Sequence, residues 1–100
     1  MAFLIPVDRL RETPTLIAFY HPAPSYAVHI LIVPKRRQRD LTALTAADAD
    51  FTVELFQTVA SLVDDLHLSA YRLICNGGEY QDVPHLHFHL VSDTFRDKNV

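Results

Sequence analysis

The chain has a single cysteine, Cys75, among its 100 residues, so no internal disulfide framework can form. This cysteine usage is typical of a reducing compartment, and we expect a cytoplasmic protein. An excess of basic residues is also missing, since 9 Lys and Arg stand against 12 Asp and Glu, for a formal net charge of -3. Nucleic acid is therefore not expected as a partner, and any anion site must be local.

Long apolar runs are missing as well. No stretch approaches the roughly 20 apolar residues that span a bilayer, so no membrane association is predicted. Residues 1–6 lack the basic start and the apolar length of a secretory signal. With 49% hydrophobic residues, the chain predicts one globular domain over residues 1–100. A domain of this size buries only about 60 to 65% of its unfolded surface, which favours association with a second copy.

The first half of the chain predicts two strands and a helix. Residues 15–20 and 27–33 have strand character and are separated by the turn cluster Pro22-Ala23-Pro24-Ser25. Thr45 and Asp48 have the spacing of a capping box at a helix start. Apolar residues then recur at helical spacing at Phe51, Leu55, Val59, Leu62, Val63 and Leu66.

The second half adds two further strands. Residues 70–75 and 85–91 are apolar runs of strand length, joined by a loop, and are expected to lie antiparallel in the same sheet. The helix would cover one face of that sheet. The fold class expected from these elements is α+β, without repeats or linkers.

Half of the six histidines, His85, His87 and His89, occupy alternate positions of one apolar run. Side chains of a strand alternate between faces, so the three imidazoles would share one face of the sheet. The intervening positions carry Leu86, Phe88 and Leu90. A strand face that only meets water can be formed by Thr, Ser or Lys. Three histidines at alternate positions therefore indicate a functional site.

Zinc binding is one interpretation of this row, because imidazole is a common zinc ligand. Along an extended strand, however, His85 and His89 would lie about 13 to 14 Å apart at Cα. Three such residues cannot easily meet one zinc at about 2.0 to 2.1 Å, and Cys75 is the only cysteine available to help. The favoured interpretation is group transfer by a nucleophilic imidazole with two flanking donors, with no metal or cofactor. A metal-binding protein ranks last of the three hypotheses considered for this sequence.

The run His85-Leu86-His87-Phe88-His89-Leu90-Val91 resembles the signature of the histidine triad (HIT) family, including its Hint and Fhit branches. Supporting segments follow in family order: residues 29–35, which resemble the strand with the family's fourth histidine, the amphipathic helix, residues 71–78, and Gln81. The resemblance covers about residues 16–92. It implies a HIT-like fold, with an antiparallel sheet, one long helix and a homodimer in which two sheets become continuous.

The resemblance also implies an activity, the hydrolysis or transfer of nucleotide conjugates at phosphoanhydride or phosphorus–nitrogen bonds. His87 would attack the α-phosphorus, and water would hydrolyse the nucleotidyl-histidine. One ring nitrogen of His87 must then be unprotonated and the other held, typically by a backbone carbonyl. His89 would donate toward the phosphate and leaving group, while His85 and His29 would orient their neighbours. Because histidine ordinarily titrates near pH 6.5, a proton relay among them is expected at neutral pH.

Both glycines of the chain, Gly77 and Gly78, follow Asn76 in the loop before the triad. Asn-Gly is a strong hairpin signal, so a plain turn is predicted, although glycine also allows a ligand to approach the backbone. The resemblance implies that Asn76 and Gln81, with Gly77 in the same loop, hold the phosphate or orient the leaving group. Both amide side chains have donors suited to that task.

Two residues depart from the family pattern. His21 stands where nucleotide-binding members commonly have an aspartate toward the ribose, and Asp82 stands where Ser or Thr donates toward the phosphate. A carboxylate about 4 Å from a phosphate oxygen would be repelled by up to about 4 kcal/mol at an effective dielectric of 20. Asp82 either points away or indicates a different substrate. These departures motivate a second hypothesis, a noncatalytic nucleotide-binding regulatory protein.

A basic segment follows the second predicted strand, and two interpretations of it differ in function. It could bind phosphate or be a solvated basic loop, and the solvated loop is favoured. Its members are Lys35, Arg36, Arg37 and Arg39.

Overall fold

In the computed structural model, which describes residues 8–93, five antiparallel strands form one sheet and a long helix packs on one face of it. The expected α+β class is therefore confirmed. The segment judged unlike a secretory signal, residues 1–6, lies outside the described residues. The elements are β1 (Arg9–Glu12), β2 (Leu16–Tyr20), β3 (Val28–Pro34), α1 (Ala49–Asp65), β4 (Arg72–Ile74) and β5 (Phe88–Ser92).

The strands lie in the order β1-β2-β3-β5-β4 across the sheet. The predicted antiparallel pairing of the last two strands is observed, with Leu73 opposite Leu90. Strand β1 was not predicted, because its sequence RLRE has too few apolar residues to show a strand pattern. No helix among residues 8–93 has the length and apolar character needed to cross a membrane.

The triad strand begins later than expected, at Phe88 rather than His85. Ile32 of β3 pairs with Phe88, which would bring Pro34 opposite Leu86 if the ladder continued. Proline has no N–H to donate, so the ladder ends there. The Leu86 N–H donates instead to the Gln38 carbonyl at 2.7 Å, outside the sheet. His85 and His87 therefore precede the strand, and only His89 lies within it.

The alternation of the triad segment survives this change. Leu86, Phe88 and Leu90 are 1%, 7% and 0% exposed and belong to the main core. This core lies between the helix and one face of the sheet. It includes Leu16, Ala18, Ile30, Ile32, Phe51, Leu55, Val59 and Leu62. The other face carries a smaller apolar cluster of Ile17, Phe19, Leu31 and Val33, so the face that bears the triad histidines also has an apolar part.

The prediction of a plain hairpin after Asn76 is wrong. The connection from β4 to β5 is a long loop that contains a 3-10 turn, Gly78–Tyr80. Gly78 has φ 59, which only glycine adopts readily, whereas Gly77 is extended. The loop is long because β4 is short and ends at Ile74.

The predicted capping box is confirmed one turn before the helix. The Thr45 side chain accepts the Ala47 N–H at 3.2 Å, and the Asp48 carboxylate accepts the Thr45 N–H at 3.0 Å. Asp48 also accepts a hydrogen bond from Gln38 at 2.9 Å. The hydrogen bond from the Thr45 N–H is the main reason that the pKa of the Asp48 carboxyl lies below its ordinary value; burial opposes it, and Gln38 and Arg36 lower the pKa further.

Replacing Thr45 with alanine removes one half of this box and is expected to lower the free energy of unfolding by about 1 kcal/mol. Urea denaturation followed by circular dichroism measures the change. Ser69→Ala is the matched control, because Ser69 is exposed and lies outside the helix. Equal stability of the Thr45 variant and the wild type would show that the box does not stabilise the helix start.

Candidate active site

A cleft of about 210 Å³ lies on the histidine-bearing face of the sheet. It brings together most of the residues that the sequence singled out, from β2, β3, β5 and the β4–β5 loop. A larger depression of about 340 Å³ lies beside β4 and contains no histidine, so the chemistry points to the smaller cleft. The smaller cleft is lined by Phe19, His21, Leu31, Val33, Asn76, Asp82, Val83, His85, His87 and His89.

The ring of His87 has a defined tautomer. Its Nδ1 lies 2.7 Å from the backbone carbonyl oxygen of His85. Because a carbonyl oxygen only accepts, Nδ1 must carry the proton. In the neutral ring Nε2 is then unprotonated, and its lone pair makes it a potential nucleophile.

A chain of hydrogen bonds assigns the opposite tautomer to His89. The Ser25 N–H donates to His29 Nδ1 at 3.1 Å, so the proton of the neutral His29 ring is on Nε2. His29 Nε2 lies 2.8 Å from His89 Nδ1 and donates to it. His89 therefore carries its own proton on Nε2. The cleft thus has a ring nitrogen with a lone pair at His87 and a ring N–H at His89.

Burial favours the neutral forms of His89 and His29. It lowers the pKa of His89 to about 4, and the nearby charges of His87, His29 and His21 add to the effect while Asp82 opposes it. Burial also lowers the pKa of His29, with a further contribution from His21. The expectation of titration near pH 6.5 is therefore wrong for His89. At neutral pH His89 donates as a neutral imidazole.

His85 also lines the cleft, although it is only 8% exposed. Burial lowers its pKa, against an opposing hydrogen bond with the backbone of Pro34. Its carbonyl oxygen holds His87 Nδ1, so it is the backbone of His85 that orients the middle histidine.

His21 directly follows the last residue of β2 and lies beside the other imidazoles. Its ring centroid lies 4.4 Å from that of His29 and 6.3 Å from that of His89. The Ala23 N–H donates to His21 Nδ1 at 2.9 Å, which leaves a proton on Nε2 of the neutral ring. An aspartate at this position could only accept hydrogen bonds when ionised, whereas the His21 Nε2–H can donate one.

The loop residues divide into two groups. Asn76 and Asp82 line the cleft. Gln81 does not, because its amide nitrogen donates to the carbonyls of Arg39 at 2.7 Å and Val83 at 2.9 Å. Both amide hydrogens of Gln81 thus hold the loop and are not available to a phosphate. Gly77 is also outside the set of described residues that line the cleft.

The basic segment is largely neutralised by neighbouring carboxylates. Lys35 pairs with Glu12 at 2.7 Å. Arg36 and Arg39 pair with Asp48 at 3.5 Å and with Asp40 at 3.3 Å. Arg37 is close enough to His85 to lower its pKa. These contacts support the solvated-loop interpretation over a dedicated phosphate site.

Sequence reasoning missed the apolar part of the cleft, which is formed by Phe19, Leu31, Val33 and Val83. A signal was present, since Leu31 and Val33 alternate with His29 along β3 and so share its face. Val83 had no such signal, because it lies in the irregular loop. Among residues 8–93, no group of three His, Cys, Asp or Glu side chains is arranged to hold a metal ion.

Comparisons with known proteins agree with this geometry. The HIT domain family matches residues 3–96 of the chain. An uncharacterised HIT-like protein of Helicobacter pylori is 33% identical over 91 residues, which are 88% of this chain and 86% of the relative. The adenosine 5'-monophosphoramidase of Saccharomyces cerevisiae is 30% identical over 87% of this chain, a match that spans 54% of the yeast enzyme. A HIT family hydrolase from Legionella pneumophila has a similar structure, with a TM-score of 0.81 at 27% identity over 88% of this chain and 82% of that one.

The tautomer and the pKa of His89 can be measured by long-range proton–nitrogen NMR of the imidazoles. We expect protonation on Nε2 at pH 7 and a titration midpoint about 4, against about 6.5 for the same residue in urea. Between these values the unfolded chain takes up a proton that the folded chain does not, so the free energy of unfolding should fall as the pH is lowered through this window. A midpoint near 6.5 in the folded protein, or a proton on Nδ1, would contradict the hydrogen-bond chain.

Proposed function

This chain belongs to the histidine triad family, and from that membership we propose that it is a hydrolase of nucleotide conjugates acting through a covalent nucleotidyl-His87 intermediate. The observation that carries the proposal is the pair of opposite tautomers in one cleft. His87 has a lone pair on Nε2 because the His85 carbonyl holds its other nitrogen at 2.7 Å. His89 has an Nε2–H because His29 donates to its other nitrogen at 2.8 Å.

The reaction divides into two steps. In the first, the lone pair of His87 Nε2 forms a bond to the α-phosphorus while the bond from phosphorus to the leaving group breaks. The leaving atom keeps the bonding electrons and takes the Nε2 proton of His89, whose ring is protonated in the complex with the anionic phosphate and becomes neutral in this step. In the second, water attacks phosphorus, gives a proton back to His89 Nε2, and the phosphorus–nitrogen bond to His87 breaks. Both tautomers are then restored.

The rest of the cleft fits a nucleotide. The apolar strip of Phe19, Leu31 and Val33 offers a surface on which a base can stack or pack. His21, next to His29, can donate to a ribose hydroxyl. An anionic phosphate beside His89 favours its protonated form, which brings its low pKa toward the range where proton transfer is effective. The yeast relative's activity supports phosphorus–nitrogen bonds as one class of scissile bond.

His87→Ala should abolish both a covalent adduct and turnover of adenosine 5'-phosphoramidate. Mass spectrometry of the rapidly quenched wild type should find a nucleotidyl group on His87, stable to base and labile to acid. His89→Ala should slow turnover by about 10² to 10⁴ without moving the adduct, because it removes only the proton donor.

His67→Asn is the matched control. His67 is exposed beyond the helix and has φ 55, a conformation that asparagine tolerates. A label on His85, His89 or Asp82, or full activity of His87→Ala, would contradict the mechanism. Tight nucleotide binding without adduct or turnover in the wild type would favour the second candidate, a noncatalytic nucleotide-binding protein, which the carboxylate of Asp82 in the cleft supports.

We further propose a homodimer in which β4 strands pair across a two-fold axis and the helices pack together. Strand β4 ends the sheet on one side and pairs with β5 alone among the described strands. The helix has two large apolar side chains on its outer surface, Val53 at 55% and Phe56 at 58% exposed. They are three residues apart and so lie on one face, away from the core. A second copy would cover this face and the strand edge together.

Sedimentation at micromolar concentration should give twice the chain mass for the wild type. Phe56→Glu should shift the protein to monomer, because it places a charge in the helix contact. Leu41→Glu is the control, since Leu41 is also 51% exposed but lies outside the helix. A wild-type monomer, or an unchanged dimer in the Phe56 variant, would remove this interface.

A further inference from the structure

The cleft changes character from one side of the sheet to the other. Phe19, Leu31 and Val33 belong to β2 and β3, the triad histidines to β5 and the residues before it, and Asn76, Asp82 and Val83 to the β4–β5 loop. If the base occupies the apolar strip, the phosphorus lies at the histidines and the leaving group lies toward the loop. Asn76, Asp82 and Val83 are the loop residues that would meet it.

The carboxylate of Asp82 is exposed and differs in its contacts from three other acids of the structure. Glu12, Asp40 and Asp48 each pair with a Lys or Arg side chain. No Lys or Arg within residues 8–93 forms an ion pair with Asp82. It is exposed at the cleft, close enough to His89 to act on it electrostatically. An unpaired carboxylate at this place repels an anionic leaving group and attracts a cationic one.

The residues around Asp82 also suit a cation with a short carbon chain. Val83, the next residue, lines the same cleft and is 49% exposed. Its side chain can pack against the methylene groups of such a ligand. The loop that carries them is held by the hydrogen bonds of Gln81 to Arg39 and Val83, so its backbone is anchored on both sides of Asp82.

We propose that Asp82 makes this site selective for nucleotide conjugates whose leaving group carries a positive charge, such as phosphoramidates of diamines or of basic amino acids. The inference rests on the proposed function and names its substrate class. Asp82 acts here as a specificity residue. It exchanges no proton with the reacting atoms, because proton transfer is the role of His89. Dinucleoside polyphosphates, whose leaving group is anionic, are disfavoured by the same charge.

The test compares two adenosine 5'-phosphoramidates of matched size, one of ethylenediamine with a free ammonium group and one of neutral propylamine. We expect the wild type to prefer the cationic substrate by about tenfold in kcat/KM, equivalent to about 1.4 kcal/mol. Asp82→Asn should reduce the preference to within about twofold, because it keeps the shape and removes the charge. It should also raise kcat/KM for a dinucleoside triphosphate, an opposite change that general damage to the site would not produce. Added salt should weaken the wild-type preference.

Asp64→Asn is the matched control, because Asp64 is exposed on the helix and its replacement changes the net charge equally. It should retain the wild-type preference. Equal rates for the two amidates in the wild type, or a preference that survives in Asp82→Asn, would overturn the proposal while leaving the hydrolase function intact. Release of neither amine, with no adduct on His87, would overturn the hydrolase function and this inference with it.

Discussion

The register between β3 and β5 is the constraint on which the site depends. Leu31 lies opposite His89, so His29 is a diagonal neighbour of His89 across the two strands. His29 Nε2 lies 2.8 Å from His89 Nδ1. A slip of one residue would turn the histidines into the core and the apolar residues out to the cleft. Ile30, Ile32, Phe88 and Leu90 prevent such a slip, because they pack against the helix on the other face. The core and the site are thus set by the same pairing.

The neutrality of the paired rings follows from that packing. Burial disfavours the charged form of His29 and His89, and each ring then needs one donor and one acceptor partner. The chain of hydrogen bonds runs from the Ser25 N–H through His29 to His89. It ends at the His89 Nε2–H, in a residue that lines the cleft. The last donor is therefore poised without carrying a charge of its own. In the proposed reaction, the negative charge of a bound phosphate favours the protonated form of His89 from which a proton can be transferred.

Much of this could be predicted from the sequence, because period-two alternation and capping spacing are local signals. The capping box at Thr45 and the shared face of the triad histidines belong to this class. The late start of β5 could not be read locally, since it depends on Pro34 lying opposite Leu86 across the sheet. Nor could the position of the Gln81 amide, whose carbonyl partner on Arg39 is 42 residues away. Such contacts depend on which loops the fold brings together, and a single sequence does not state that.

The turn cluster before β3 bears on how the protein tolerates mutation. Ala23 and Ser25 supply main-chain N–H groups to His21 and His29, while the residues between and before them are prolines, which have none to give. The tautomers are thus set by peptide groups that nearly every amino acid possesses. Substitutions at Ala23 or Ser25 by most residues leave that donor in place, and proline alone removes it. Relatives can therefore diverge at these two positions, and alanine in place of Ser25 would keep the donor, although the loop determines which nitrogen of His21 and of His29 carries the proton.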